Sequence, residues 1–184
     1  MTIVCAIKDP AAGGVWFASD TLAVNCDIKE NCGPKFVRCG KWGIGVAGAV
    51  RGLNLLQGNK DQIAALPRVS DVVDAIETML VNDKWERRKV DGRPGNYQAE
   101  WLITDGTELW AVSHELSVLS CEYGAIGTGT AAALGARHIA VHRYGALDRD
   151  ILVRDMVAAA IAVDHNCGGE VWYDLIKPLE TTNA

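Results

Sequence analysis

The start of the chain carries the most specific chemistry. Met1 is followed by Thr2, a small residue of the type that permits removal of an initiator methionine. Removal leaves a threonine whose free α-amine sits beside its own hydroxyl. A hydroxyl attacks poorly until a base takes its proton, and an α-amine with an ordinary pKa of about 8 can be that base. The chemistry then asks for a lysine to hold the amine's pKa down, a carboxylate to hold the lysine, and backbone N–H groups for the oxyanion. Taken alone, Met-Thr is a common way for a chain to begin.

The other candidate constellations have plainer readings. Gly127-Thr128-Gly129 precedes a helical pattern, but it lacks the Lys-Ser/Thr of a P-loop and the full GxGxxG. Amides and a hydroxyl at such a helix start suit an anion or a carboxylate. His138 and His142 are spaced i, i+4 without an HExxH, which fits an ordinary helix face; His114 and His165 stand apart. The six cysteines (Cys5, Cys26, Cys32, Cys39, Cys121 and Cys167) form no CxxC pair and lie mostly in apolar strings. They read as free thiols in a reducing cytoplasm, with neither a disulfide framework nor a metal site. Lys84, Arg87, Arg88 and Lys89, interrupted by Glu86 and followed by Asp91, read as a solvated helix end.

The chain has 184 residues, 49% hydrophobic and 22% charged. That is the length of one domain, spanning 1–184, with enough apolar surface to exclude intrinsic disorder. A net charge of −5 argues against a nucleic-acid partner. No run approaches the roughly 18 to 20 apolar residues of a membrane span, and no signal peptide opens the chain.

These residues need elements to position them. Thr2 to Lys8 and Val15 to Ser19 read as strands joined by a Pro-Ala-Ala-Gly-Gly turn, with Asp20 at the end. Thr21 to Gly33 reads as a loop with short extended pieces. Lys35 to Arg38 and Trp42 to Ala47 read as a strand pair. Ala49 to Gly58 and Val69 to Val90 carry helical spacing, the second with Ser70 as N-cap and Asp91 to Asn96 as its break. Ala99 to Thr104 and Glu108 to Ser113 flank the hairpin signal Asp105-Gly106. Leu116 to Tyr123 reads as one strand, Ala131 to Arg143 and Arg149 to Asp164 as helices, and Glu170 to Ile176 as the last strand. Strands and helices in segregated blocks predict an α+β fold with two antiparallel sheets and helices outside.

Read together, several segments resemble proteasome β-subunits and the bacterial HslV peptidase. They are Thr2-Ile3-Val4-Cys5-Ala6-Ile7-Lys8, the Gly-Gly hairpin with Val15-Trp16-Phe17-Ala18-Ser19-Asp20, Pro34-Lys35-Phe36-Val37, Gly45-Val46-Ala47-Gly48-Ala49, Ala125-Ile126-Gly127-Thr128-Gly129 and Asp164-His165-Asn166-Cys167-Gly168-Gly169. They follow the family's order across nearly the whole chain. The resemblance is to a divergent bacterial or phage-borne branch of the N-terminal-nucleophile hydrolases.

The resemblance implies a four-layer α-β-β-α sandwich and a threonine peptidase acting through an acyl-enzyme. Thr2 matches the nucleophile, Asp20 and Lys35 the carboxylate–lysine pair, and Gly48 the oxyanion-hole N–H. Thr128 stands where serine is usual, and Asp164 matches the carboxylate that orients that hydroxyl. Cys167 replaces a second serine with a weaker hydrogen-bonding thiol. No metal or organic cofactor is implied. The partners implied are a peptide substrate, further copies of the chain in a ring, and an ATPase or virion component. An apolar stripe on Ala49 to Gly58 or Val69 to Val90 would supply ring contacts.

Two registers fit the first strand. One aligns Ala6-Ile7-Lys8 with the family's first strand and puts Thr2 at the nucleophile position with a slightly long hairpin; the other aligns Thr2-Ile3-Val4 with the family's usual Thr-Thr-Ile-Val, which puts Met1 there and leaves no nucleophile. The first is preferred, because a one-residue slip also exchanges the strand's faces. Rival readings are an inert structural protein that keeps Met1 and builds a ring or a virion, and a small-molecule amidase.

Overall fold

The protein is described here by a computed structural model, covering residues 2–25, 28–48, 50–84, 88–90, 93–97, 99–145 and 147–179. In chain order the elements are β1 (Ile3–Asp9), β2 (Gly14–Asp20), β3 (Leu22–Asn25), β4 (Ile28–Asn31), β5 (Phe36–Cys39) and β6 (Trp42–Gly48). Three helices follow: α1 (Val50–Gly58), α2 (Lys60–Ala64) and α3 (Val69–Asn82). Then come β7 (Arg88–Val90), β8 (Arg93–Asn96), β9 (Ala99–Thr104), β10 (Leu109–Val112), β11 (Val118–Ser120) and β12 (Tyr123–Gly127). The chain closes with α4 (Thr130–Tyr144), α5 (Arg149–Val163) and β13 (Val171–Ile176).

Two antiparallel sheets form the centre, one ordered β12-β1-β2-β13 and the other β11-β10-β9-β6-β5. The layering follows from the side chains of β1. Ile3, Cys5 and Ile7 are packed with Leu152, Val153, Met156, Val157 and Ala160 of α5. Val4 and Ala6 point the other way, to Phe36, Ala47 and Leu102 of the second sheet. Both faces of the strand are covered, so its sequence shows a nearly continuous apolar run rather than sharp alternation. The second sheet repeats the logic: Ile44, Val46, Trp101 and Ile103 face Leu53, Leu56, Val72, Val73, Ile76 and Leu80 of the helices α1 and α3. Helices, sheet, sheet and helices make the four-layer α-β-β-α sandwich expected from the sequence.

Several local expectations change. The helix expected over 69–90 ends at Asn82: the Asp83 N–H returns to Met79 O, and Lys84 takes a φ of 56°. The next positions of the stripe, Asp83 and Lys84, are charged, so apolar packing no longer supports the helix there. Arg88 and Lys89 therefore lie on β7, which pairs with β8, and do not form a helix end; Arg87 lies outside the described residues. Arg68, rather than Ser70, occupies the N-cap of α3. The strand expected over 116–123 is two strands in different sheets: β11 pairs with β10, and β12 pairs with β1. No glycine or proline between residues 116 and 123 marks that crossing. The segment over 21–33 contains the β3–β4 hairpin, and α2 follows α1 without having been expected. Finally, the stripe Val72, Val73, Ile76, Met79 and Leu80 is buried inside the protein and is not available for contacts between copies. Among the described residues, no helix is long and apolar enough to cross a membrane.

The sheets pack closely around Gly45, where a Cβ would lie 2.7 Å from Val4 Cγ1 and 3.1 Å from Phe17 Cε1. Phe17 is fully buried and packs on Phe36 with ring centroids 5.6 Å apart. Phe17→Ala should therefore destabilise the fold by about 3–5 kcal/mol in urea unfolding. A loss under about 1 kcal/mol would contradict this account of the central layer.

Candidate active site

Antiparallel pairing of β1 with β2 sets Val4 opposite Ser19, which brings Thr2 to the end of the ladder beside Asp20. The Asp20 carboxylate is completely buried. Its Oδ1 accepts hydrogen bonds from Thr2 Oγ1 at 2.6 Å, Ile3 N at 3.0 Å and Lys35 Nζ at 2.7 Å. Its Oδ2 accepts from Gly168 N at 3.1 Å. Lys35 is itself buried; its Nζ also donates to the carbonyl of Leu22, and its N–H donates to Ser19 Oγ at 3.0 Å. Thr2 and Lys35 thus meet through one shared acceptor oxygen.

Burying a carboxylate and an ammonium is costly unless each is paired and its remaining bonds are made. Here the donors converge from both ends of the chain: the β1 start, the segment before β5, and the loop after α5. A structural ion pair is the plain alternative. A buried pair is a weak source of net stability, however, since an apolar replacement of similar volume often does as well.

A second cluster adjoins the first. The Thr128 side chain lies close enough to Asp164 to act on its carboxyl. Asp164 Oδ1 accepts from Asn166 N at 2.9 Å and Asn166 Nδ2 at 3.0 Å, and Oδ2 accepts from Cys167 Sγ at 3.6 Å. Burial pushes the Asp164 carboxyl up, but Thr128, Asn166 and Cys167 outweigh it and hold the group below the usual carboxylate range. Burial, followed by the charges of Asp20 and Asp164, pushes the Cys167 thiol up to about 12. It is therefore a neutral S–H donor in the position where the resemblance expects serine. Its neighbour Gly168 ties this cluster to Asp20.

The glycines at 127 and 129 have a steric reason. A Cβ on Gly127, whose φ is 104°, would lie 2.1 Å from the carbonyl oxygen of Thr2 and 3.3 Å from Ala47 Cβ. A Cβ on Gly129 would lie 2.6 Å from Ala160 Cβ and 3.0 Å from Cys167 Sγ. Gly-Thr-Gly is thus the sequence that lets the loop lie against the start of β1. Gly48 ends β6 at a φ of 127° and is exposed, one residue from the Ala47 that borders Gly127. Thr2, Asp20 and Lys35 therefore form one group, Thr128, Asp164 and Cys167 a second, and Gly48 lies at their edge.

Some contributors carried little sequence signal. Ser19, Gly168 and the Leu22 carbonyl complete the Asp20–Lys35 pair, although Ser19 and Gly168 lie within segments that the resemblance covers. Glu100, whose Oε2 accepts from Gly127 N at 3.1 Å, reads in the sequence as an ordinary strand residue. His138 and His142 lie against each other on α4 with ring centroids 4.2 Å apart, whereas the exposed His165 has Nδ1 4.0 Å from Asp164 Oδ1 and His114 Nε2 lies 3.7 Å from Glu100 Oε1. Cys26 lies outside the described residues.

Two predictions follow from this geometry. Asp20→Asn and Lys35→Met should each cost about 3–5 kcal/mol in denaturant unfolding, because each leaves a buried charge or donor without its partner. The double variant should cost clearly less than the sum, and simple additivity would contradict the coupling. Asp164, with its folded-state pKa depressed, contributes stability that is present above its unfolded-state value and lost as pH falls through the folded-state value. Thr128→Val should raise the Asp164 pKa in an NMR titration and move acid unfolding to higher pH. An unshifted titration would contradict the Thr128–Asp164 interaction.

No model of a known protein family matches the chain, and no curated protein sequence matches it. Solved structures do. Thiobacillus denitrificans BPH is 22% identical with a TM-score of 0.75. The same protein in complex with epoxomicin is 21% identical with a TM-score of 0.74. Each match covers 96% of this chain and 98% of that one. The likeness covers nearly the whole of both chains, and it shows that this chain shares their fold, the four-layer α-β-β-α sandwich described above.

Proposed function

We propose that this protein is an N-terminal threonine hydrolase that cleaves amide bonds of peptides after Met1 is removed. One observation carries the reading: the Thr2 hydroxyl, the Asp20 carboxylate and the Lys35 ammonium meet in one buried cluster at the start of β1. The neighbouring Thr128–Asp164–Cys167 group supports it, as does the epoxomicin bound by a solved protein of the same fold.

The chemistry assigns each residue a task. The freed α-amine of Thr2 takes the proton of Oγ1 as the oxygen attacks the substrate carbonyl, so the Oγ1 proton must leave its present acceptor, Asp20 Oδ1. Asp20 holds Lys35 in place, and the lysine's positive charge disfavours a protonated amine, leaving it free to act as base. The Gly48 N–H stabilises the oxyanion. The amine then delivers its proton to the leaving amine, which departs and leaves an ester on Thr2. Water, deprotonated by the same α-amine, hydrolyses that ester and restores the hydroxyl. Thr128, held by Asp164, orients the α-amine. Assembly into a ring belongs to the same proposal; sedimentation at micromolar concentration should show an oligomer, and a monomer alone would count against it.

A second reading is favoured by one feature. Thr2 is only 3% exposed, and its hydroxyl gives its proton to Asp20. If that bond is permanent, Thr2 is a structural donor, and the nucleophile's position falls to residue 1, a methionine without one. The protein is then an inert building block of a ring or virion. Intact mass together with turnover separates the two. The hydrolase reading expects loss of Met1, cleavage of fluorogenic peptides, and a fall on the order of a thousandfold or more in Thr2→Ala. Retained Met1 in every preparation, or undiminished activity in Thr2→Ala, would overturn it.

A further inference from the structure

The even positions of β9 face the other sheet: Leu102 packs in the layer between the sheets, while Trp101 and Ile103 face the helices. Glu100 follows the same alternation, so a carboxylate stands at an inter-sheet position. It pairs with Ala47 on β6, beside Gly48. Its side chain is 33% exposed, and it reaches across to the other sheet, where Oε2 accepts from Gly127 N at 3.1 Å. Its second oxygen lies 3.7 Å from His114 Nε2. β12 is an edge strand, so an N–H turned away from β1 has no ladder partner; Glu100 supplies one.

Gly127 is therefore fixed on three sides. Glu100 holds its N–H, Thr130 Oγ1 donates to its carbonyl at 2.7 Å, and the Thr2 carbonyl lies against its Cα. The next residue is Thr128, whose hydroxyl lies beside Asp164 and lowers its pKa. We propose that Glu100 is a positioning residue: its carboxylate clamps the Gly127 amide across the two sheets and so sets the distance between the Thr128 hydroxyl and Thr2. This assignment rests on the hydrolase reading for its catalytic consequence, but the clamp itself is a property of the fold.

The chemistry separates the variants. In Glu100→Gln the amide oxygen can accept the same bond. In Glu100→Ala nothing can, and in Glu100→Asp the carboxylate is one methylene short. On the Met1-free protein, Glu100→Ala and Glu100→Asp should lower kcat about tenfold with KM within about twofold, because a small misplacement of catalytic groups affects the reacting step more than binding. Glu100→Gln should stay within about threefold of the parent, since a neutral acceptor keeps most of the bond. In hydrogen exchange, the Gly127 amide should open at least about tenfold faster in Glu100→Ala than in the parent. The proposal is overturned if Gly127 exchange is unchanged in Glu100→Ala, or if Glu100→Gln falls as far as Glu100→Ala. Equal KM and kcat in all variants would likewise overturn it. A parent protein that loses Met1 yet hydrolyses nothing defeats the hydrolase reading and, with it, the catalytic role of Glu100, and the exchange of Gly127 then decides the clamp alone.

Discussion

The site depends on one oxygen atom. Asp20 Oδ1 accepts from a hydroxyl, a backbone amide and an ammonium at once, while Oδ2 holds a second backbone amide. A carboxylate with no exposed surface has to be satisfied by the protein alone. That requirement draws together the β1 start, the end of β2, the segment before β5 and the loop after α5. Removing any of these donors leaves charge in a place water does not reach. The ion pair is thus better understood as a positional constraint than as a source of stability.

The sandwich makes this arrangement possible by covering β1 on both faces. The side toward α5 and the side toward the second sheet are both apolar, so hydrophobic alternation alone does not set the register, and the ladder with β2, Val4 opposite Ser19, is what places Thr2 beside Asp20. The same close packing explains the glycines. Gly127 and Gly129 are fixed by the nearness of Thr2, Ala160 and Cys167, which makes the loop a fitted piece of the site. Cys167 keeps its proton because burial and two neighbouring carboxylates oppose a thiolate, so it serves Asp164 as a donor.

Much of this was legible in the sequence for identifiable reasons. The first two strands and the Asp105-Gly106 hairpin stand out because turn residues bracket short apolar runs, and the proteasome-like blocks lie where Thr2, Asp20 and Lys35 meet. What stayed hidden depended on tertiary context. Nothing local distinguishes residues 116–123 as parts of two strands in different sheets. Nothing before Asn82 announces where burial of α3 stops. Glu100 looks like the polar face of a strand, and only the packing of the first sheet against it reveals that it faces the layer between the sheets. The register of β1 relative to residue 1 was open for the same reason: two alignments share the residues Thr-Ile-Val, and chemistry at the α-amine separates them.

The most direct measurement is intact mass of the purified protein before and after exposure to epoxomicin, followed by localisation of any adduct. A protein that begins at Thr2 and gains one inhibitor mass on that residue, with no gain in the Thr2→Ala variant, is the result this account predicts. A protein that begins at Thr2 and remains unlabelled, or is labelled elsewhere, would contradict it.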